Sequence, residues 1–187
     1  MSKPRLIIGI SGSSGIIYGI RLLEVLQTMP VETHLVVSKA AQLTRAYETT
    51  MSAAELKSLA DVYHPYNDIA APIASGSYKT IGMIIAPCSM KSLGEIAHGI
   101  AGNLLTRAAD VVLKERRRLV LMPRESPLHL GHLQNMVSIT QMGGIICPPV
   151  PAFYHKPQQI IDLINDSVGR VLDLFGLDND LAQRWEK

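Results

Sequence analysis

The chain has 187 residues, 47% hydrophobic and 18% charged, a balance that excludes a disordered polypeptide and supplies one domain with a sizeable core. Its formal charge of +2, with no like-charge block longer than Arg116–Arg118, argues against a nucleic-acid surface. No apolar run approaches the ~20 residues that span a bilayer, no signal peptide is recognisable, and Cys88 and Cys147 lack Cys-x-x-Cys spacing, so a cytoplasmic protein with buried thiols and no membrane segment is expected.

In chain order, Leu6–Ile10 reads as a strand buried on both faces, Gly12–Gly15 as a turn, and Ile16, Ile20 and Leu23 as the start of a helix. Val31–Ser38 is expected to be the second strand, with helical stretches following through Glu48 and from Ser52 to Ala60. Ile81–Ala86 is a third strand, stopped by Pro87, and helices run from Met90 to His98 and from Asn103 to about Arg116. Leu119–Met122 is a strand ending at Pro123. A helix over Leu133–Met142 is broken by Gly143-Gly144 before the strand Ile145–Cys147. A Pro148–Pro151 loop leads to a last helix that begins near Pro157, with apolar positions at 160, 161, 164, 168, 171, 172 and 175. This alternation predicts a single α/β domain over 1–187 with a three-layer α/β/α, Rossmann-like architecture and a mostly parallel sheet. Ligands of such sheets bind at the carboxyl ends of the strands.

The turn after the first strand reads Gly9-Ile-Ser-Gly12-Ser-Ser-Gly15. Its glycines allow close backbone approach, free amides at the helix start point toward an anion, and Ser11, Ser13 and Ser14 add hydroxyl donors. A dinucleotide site would need a middle glycine where Ser11 stands and an acid ending the second strand, where Val37-Ser38-Lys39 has none; a Walker lysine is also missing. A mononucleotide phosphate is favoured, with a serine-rich helix cap as the bland alternative. Pro87-Cys-Ser89-Met90-Lys91-Ser92 offers similar hydroxyls and amides, and Pro123-Arg124-Glu125 sets a cation beside a carboxylate. Arg107, Lys114, Arg124 and Arg170 gain meaning only if the fold or a neighbouring subunit gathers them. His129 and His132 have metal-ligand spacing but no evident third ligand, and Cys88 reads as structural rather than nucleophilic.

The segments Gly9–Gly15, Val36–Ala41, Pro87–Met90, Leu121–Glu125 and Pro151–His155 together resemble the UbiX/Pad family of flavin prenyltransferases, within the flavin-dependent cysteine-decarboxylase-like flavoprotein fold group. The resemblance implies reduced FMN held by Gly12, Ser13, Ser14, Ser38, Ser89, Met90, Lys91, Ser92 and Arg124. It implies dimethylallyl phosphate held by Arg107, Lys114, Arg124, Tyr154 and Arg170, and catalytic roles for Ser14, Glu48 and Glu125 without a metal. It further implies a homo-oligomer, a dodecamer with its sites at subunit interfaces, whose prenylated FMN serves a UbiD-type decarboxylase. The carboxyl-terminal helix and tail (about 157–187), with Trp185, are expected to help close the site. The competing functions are an FMN-dependent aromatic acid (phenylacrylic acid) decarboxylase and a carrier of FMN for such an enzyme.

Overall fold

Leu6, Ile7, Ile8 and Ile10 are all buried, because layers of helix cover both faces of the strand they form. The structure, a computed structural model, describes residues 3–182. Its elements are β1 (Arg5–Ile10), α1 (Ile16–Leu26), β2 (Glu32–Val37), α2 (Lys39–Glu48), α3 (Ala53–Ser58) and β3 (Val62–His64). A 3-10 turn (Pro72–Ala74) precedes β4 (Gly82–Cys88), α4 (Met90–Ala97), α5 (Leu104–Lys114), β5 (Arg118–Pro123), α6 (Leu130–Gln141), β6 (Ile145–Ile146) and α7 (Ile160–Asp173).

The six strands pair in the order β3-β2-β1-β4-β5-β6, every pairing parallel. Alternate residues divide between two cores. Leu6, Ile8, Leu35, Val37 and Ile84 pack with α1 and α7, whereas Ile7, Val36, Met83 and Ile85 pack with α4 and α5. The expected three-layer α/β/α fold is present, with a sheet that is wholly parallel. From β1 the chain winds outward to β2 and β3, then returns to β4 and winds the other way. The switch point therefore lies between the carboxyl ends of β1 and β4, where a crevice opens.

Several boundaries differ from expectation. β4 does not stop before Pro87 but continues to Cys88, through a cis Ala86–Pro87 peptide and a register shift against β5, a place where a residue without an N–H fits a strand. Ser38 is not the last residue of β2; its hydroxyl caps α2 by accepting from the Ala41 amide at 3.1 Å. α6 starts at Leu130 rather than Leu133, because the His129 ring accepts from the Gly131 amide. α7 starts at Ile160 rather than near Pro157, where the Asp162 carboxylate accepts from the Gln158 and Gln159 amides, and its predicted apolar positions 160 and 161 are exposed. β3, three residues at the sheet edge, was not expected at all. Residues 177–182 fold back onto α7, with the Asn179 amide donating to the Gly169 carbonyl. Trp185 lies outside the described residues.

Candidate functional site

The carboxyl ends of β1, β2, β4 and β5 deliver four short segments to one edge. After β1 comes the loop 11–15. A Cβ at Gly12 would lie 2.3 Å from the Cβ of Ala40, so only glycine lets the loop pass the start of α2. Ser11, expected to donate to a ligand, is instead 1% exposed and spent on the scaffold. Its hydroxyl donates to the Pro87 carbonyl at 3.1 Å and accepts from the Ser89 amide at 2.7 Å, lacing the β1 loop to the β4 turn across the switch point. Replacing Ser11 by Ala strands the Ser89 amide, and is expected to cost about 1–3 kcal/mol in urea unfolding with an unchanged m-value. By contrast, the Ser13 hydroxyl is buried and has no hydrogen-bond partner.

The residue before α1 is Gly15, whose φ of 96° lies in the left-handed region and which has no side chain to cap the helix. The cap comes from Glu48, at the end of α2. Its Oε2 accepts from the Gly15 amide at 2.9 Å and the Ile16 amide at 3.0 Å. The sequence predicts free amides at this helix start; they are occupied by an anion of the chain's own. Burial alone pushes the Glu48 carboxyl up, but the Ser14 hydroxyl, the Gly15 and Ile16 amides and the charge of Arg124 more than offset it. Its pKa therefore lies below the usual carboxylate range.

Ser89 caps α4, its hydroxyl accepting from the Ser92 amide and meeting the Ser92 hydroxyl, both at 3.2 Å. Met90 follows half-buried. The Lys91 side chain is 77% exposed and runs along the helix to Glu95 at 3.7 Å, so its ammonium is turned along α4. At the end of β5 the Arg124 amide donates to the Cys88 carbonyl, and the exposed Glu125 carboxylate accepts from the Ser126 amide. The structure thus brings together Gly12, Ser13, Ser14, Ser38, Glu48, the Ser89–Ser92 turn, Arg124 and Glu125.

The other expected residues are held by contacts of their own. Arg107 is held on α5 by Asp110 at 2.8 Å and by the Ala74 carbonyl. Lys114 pairs with Glu115 at the end of α5, where the chain enters β5; the length of that strand, about 17 Å, separates it from Arg124. Arg170 pairs with Asp173 on α7, and Tyr154 sits exposed on the preceding loop, edge-on to His155. Cys88 is fully buried and its thiol is pushed up to about 12, which fits a structural thiol. It should resist iodoacetamide at pH 8 in the native protein and label fully in urea; equal labelling in both would contradict this burial. Among the described residues no three His, Cys, Asp or Glu side chains are grouped to hold a metal ion, and no helix is long and apolar enough to cross a membrane.

Residues 1–169 match the Flavoprotein family model. The chain is also 58% identical over 182 residues to the flavin prenyltransferase UbiX of Neisseria meningitidis serogroup B, covering 97% of this chain and 96% of that one. The chain belongs to the UbiX flavin prenyltransferase family. UbiX of Escherichia coli K12 is likewise 58% identical, over 185 residues, with 97% and 98% covered. Two solved UbiX-type structures superpose closely. One is AnUbiX (PadA1) in complex with FMN and dimethylallyl pyrophosphate, with a TM-score of 0.97 and 50% identity over 99% of this chain and 98% of that one. The other, from Escherichia coli O157:H7, is described as a dodecameric FMN-dependent UbiX-like decarboxylase, with a TM-score of 0.96 and 50% identity over 98% of this chain and all of that one. Within this family setting, the Gly12 cradle and the unpartnered Ser13 hydroxyl at the switch point are a fitting place for a flavin nucleotide.

Proposed function

We propose that this chain transfers a dimethylallyl group from dimethylallyl phosphate to N5 and C6 of reduced FMN, without a metal, and passes the prenylated FMN to a UbiD-type decarboxylase. The observation that carries this reading is the switch-point edge, where a buried hydroxyl awaits a partner beside an ionised Glu48, in a chain half identical to a relative solved with both FMN and a prenyl donor. When bound, reduced FMN supplies the nucleophilic ring positions.

The chain's own residues do the rest. Gly12 leaves room for close approach, and Ser13, Ser38, the Ser89–Ser92 turn and Arg124 offer hydroxyls, amides and one cation to the nucleotide. Glu48, kept ionised and bonded to the Ser14 hydroxyl, is set to receive a proton through that serine. Glu125 follows Arg124 at the end of β5 and assists at the donor's phosphate or during ring closure. A departing phosphate gathers negative charge, and Arg124, Tyr154 and Arg170 stabilise it without a metal ion.

Lys114 lies at the far end of β5 and Arg107 is committed to Asp110 and the Ala74 carbonyl, so on this reading a neighbouring copy supplies both cations. α6 supports such association: Leu130, Leu133 and Val137, at helical spacing, are 68%, 46% and 55% exposed and form an apolar stripe that needs cover. We read the assembly as a dodecamer, the state described for the E. coli O157:H7 relative, in which neighbouring copies give both the cover and the missing cations. The carboxyl-terminal segment helps to close the site.

The relative described as a decarboxylase gives the competing reading its footing. The two separate cleanly in one experiment. Flavin extracted after reaction with dimethylallyl phosphate is added to an apo UbiD-type decarboxylase, which it should activate. Carbon dioxide released from a phenolic acid by this chain alone would overturn the proposal, as would a flavin product that leaves the decarboxylase inactive.

A further inference from the structure

A cavity of about 210 Å³ opens where β5 and β6 end. Met122, Pro148 and Val150 make its wall apolar, and its lining holds one acid, Asp166, and one cation, Arg170. Asp166 is 7% exposed, and its Oδ1 has no hydrogen-bond partner. Arg170 lies one turn further along α7. Its side chain is 61% exposed and turned away to Asp173, at 3.1 Å.

A buried carboxylate oxygen with no donor is costly to keep, and a donor that reaches it during the protein's work offsets that cost. Two groups beside the cavity can donate. The Cys147 thiol is a weak donor, whereas the guanidinium is a strong one with five N–H groups in a planar fork. The neighbouring Ser167 hydroxyl is already given to the Leu163 carbonyl. Asp166 and Asp173 stand four residues before and three after Arg170, so both lie within its reach on the helix surface.

We propose that Asp166 is a positioning residue for Arg170. When a phosphate enters the cavity mouth, the guanidinium leaves Asp173, turns inward, and is held between the Asp166 carboxylate and the phosphate oxygens. The exchange replaces one ion pair by another plus the bound anion, so it proceeds only with the anion present. It rests on the reading of Arg170 as a ligand of the dimethylallyl phosphate group, and adds the residue that aims it.

The test is a double-mutant cycle with Asp166→Asn and Arg170→Ala, reading KM and kcat for dimethylallyl phosphate with saturating reduced FMN, together with inorganic phosphate binding to the FMN-loaded protein by calorimetry. Asp166→Asn should raise KM about tenfold and weaken phosphate binding by a similar factor, with kcat within about twofold and FMN affinity unchanged. In the Arg170→Ala background it should add nothing. The same KM factor in both backgrounds would show a merely structural role and overturn the proposal, as would an unchanged KM with Arg170 present. If Asp166→Asn does not fold, Asp173→Asn reads the exchange from the other side. Loss of the outward partner should lower KM about threefold, and a value at or above wild type overturns the proposal. Should wild type transfer no prenyl group at all, the proposed activity fails, while the phosphate calorimetry still decides whether Asp166 aims Arg170.

Discussion

Replacing Glu48 by Gln should slow prenyl-flavin formation by about 10²–10³-fold while leaving FMN affinity within a few-fold of wild type. The size follows from what the substitution keeps and removes. An amide oxygen still accepts from Gly15 and Ile16, so α1 remains capped and the loop keeps its shape. The negative charge beside Ser14 and Arg124 is lost, and with it the proton acceptor. The pH dependence has a definite sign. Because the folded pKa of Glu48 lies below its unfolded value, any stability it contributes is present above the unfolded pKa and lost as pH falls through the folded one. Wild type and variant should therefore converge in stability at acid pH and differ only modestly at neutral pH, since Glu48 is exposed. Turnover of the variant equal to wild type, measured by flavin conversion under anaerobic conditions, would remove Glu48 from the chemistry and leave it as a cap.

Replacing Gly12 by Ala should weaken FMN binding about 100-fold, the second large effect. The new methyl would lie 2.3 Å from the Ala40 Cβ and 3.0 Å from the Ala40 carbonyl carbon, so either the loop or the start of α2 must move. Both carry residues of the nucleotide edge, Ser13 on one side and Ser38 on the other. Removing the opposing methyl supplies the control. Ala40→Gly in the Gly12→Ala background deletes the 2.3 Å contact and leaves the 3.0 Å one, and should recover part of the lost affinity. If the pair binds FMN no better than the single variant, the close approach of loop and helix is not what Gly12 provides.

The strand ends that build the site were legible because each follows a continuous apolar run, and such runs mark strands covered on both faces. Leu6–Ile10 and Ile81–Ala86 need no tertiary information to be read, and they point to the turns after them as the place for function. What stayed hidden depended on distance in the chain. Nothing near Gly15 shows that its helix would be capped from Glu48, 33 residues away. Nor does the sequence around Ser11 disclose that the hydroxyl is committed to Pro87 and Ser89. In both cases a polar group meant for the scaffold looked available to a ligand. The same limit applies to the cations. Arg107, Asp110 and Lys114 share a helix face by their spacing, yet spacing does not say that Lys114 falls at the sheet edge opposite Arg124. β3 escaped because three residues, Val62, Tyr63 and His64, are too few to display a period. Pro87 misled because a proline ordinarily ends a strand, and here a register shift lets the strand continue past it.

The most direct test of prenyl transfer is the mass of the flavin. FMN reduced with dithionite and incubated anaerobically with this chain and dimethylallyl phosphate should emerge heavier by one prenyl unit, with no added metal and in the presence of a chelator. Recovery of unmodified FMN, from protein shown to have bound it, would contradict the proposed activity.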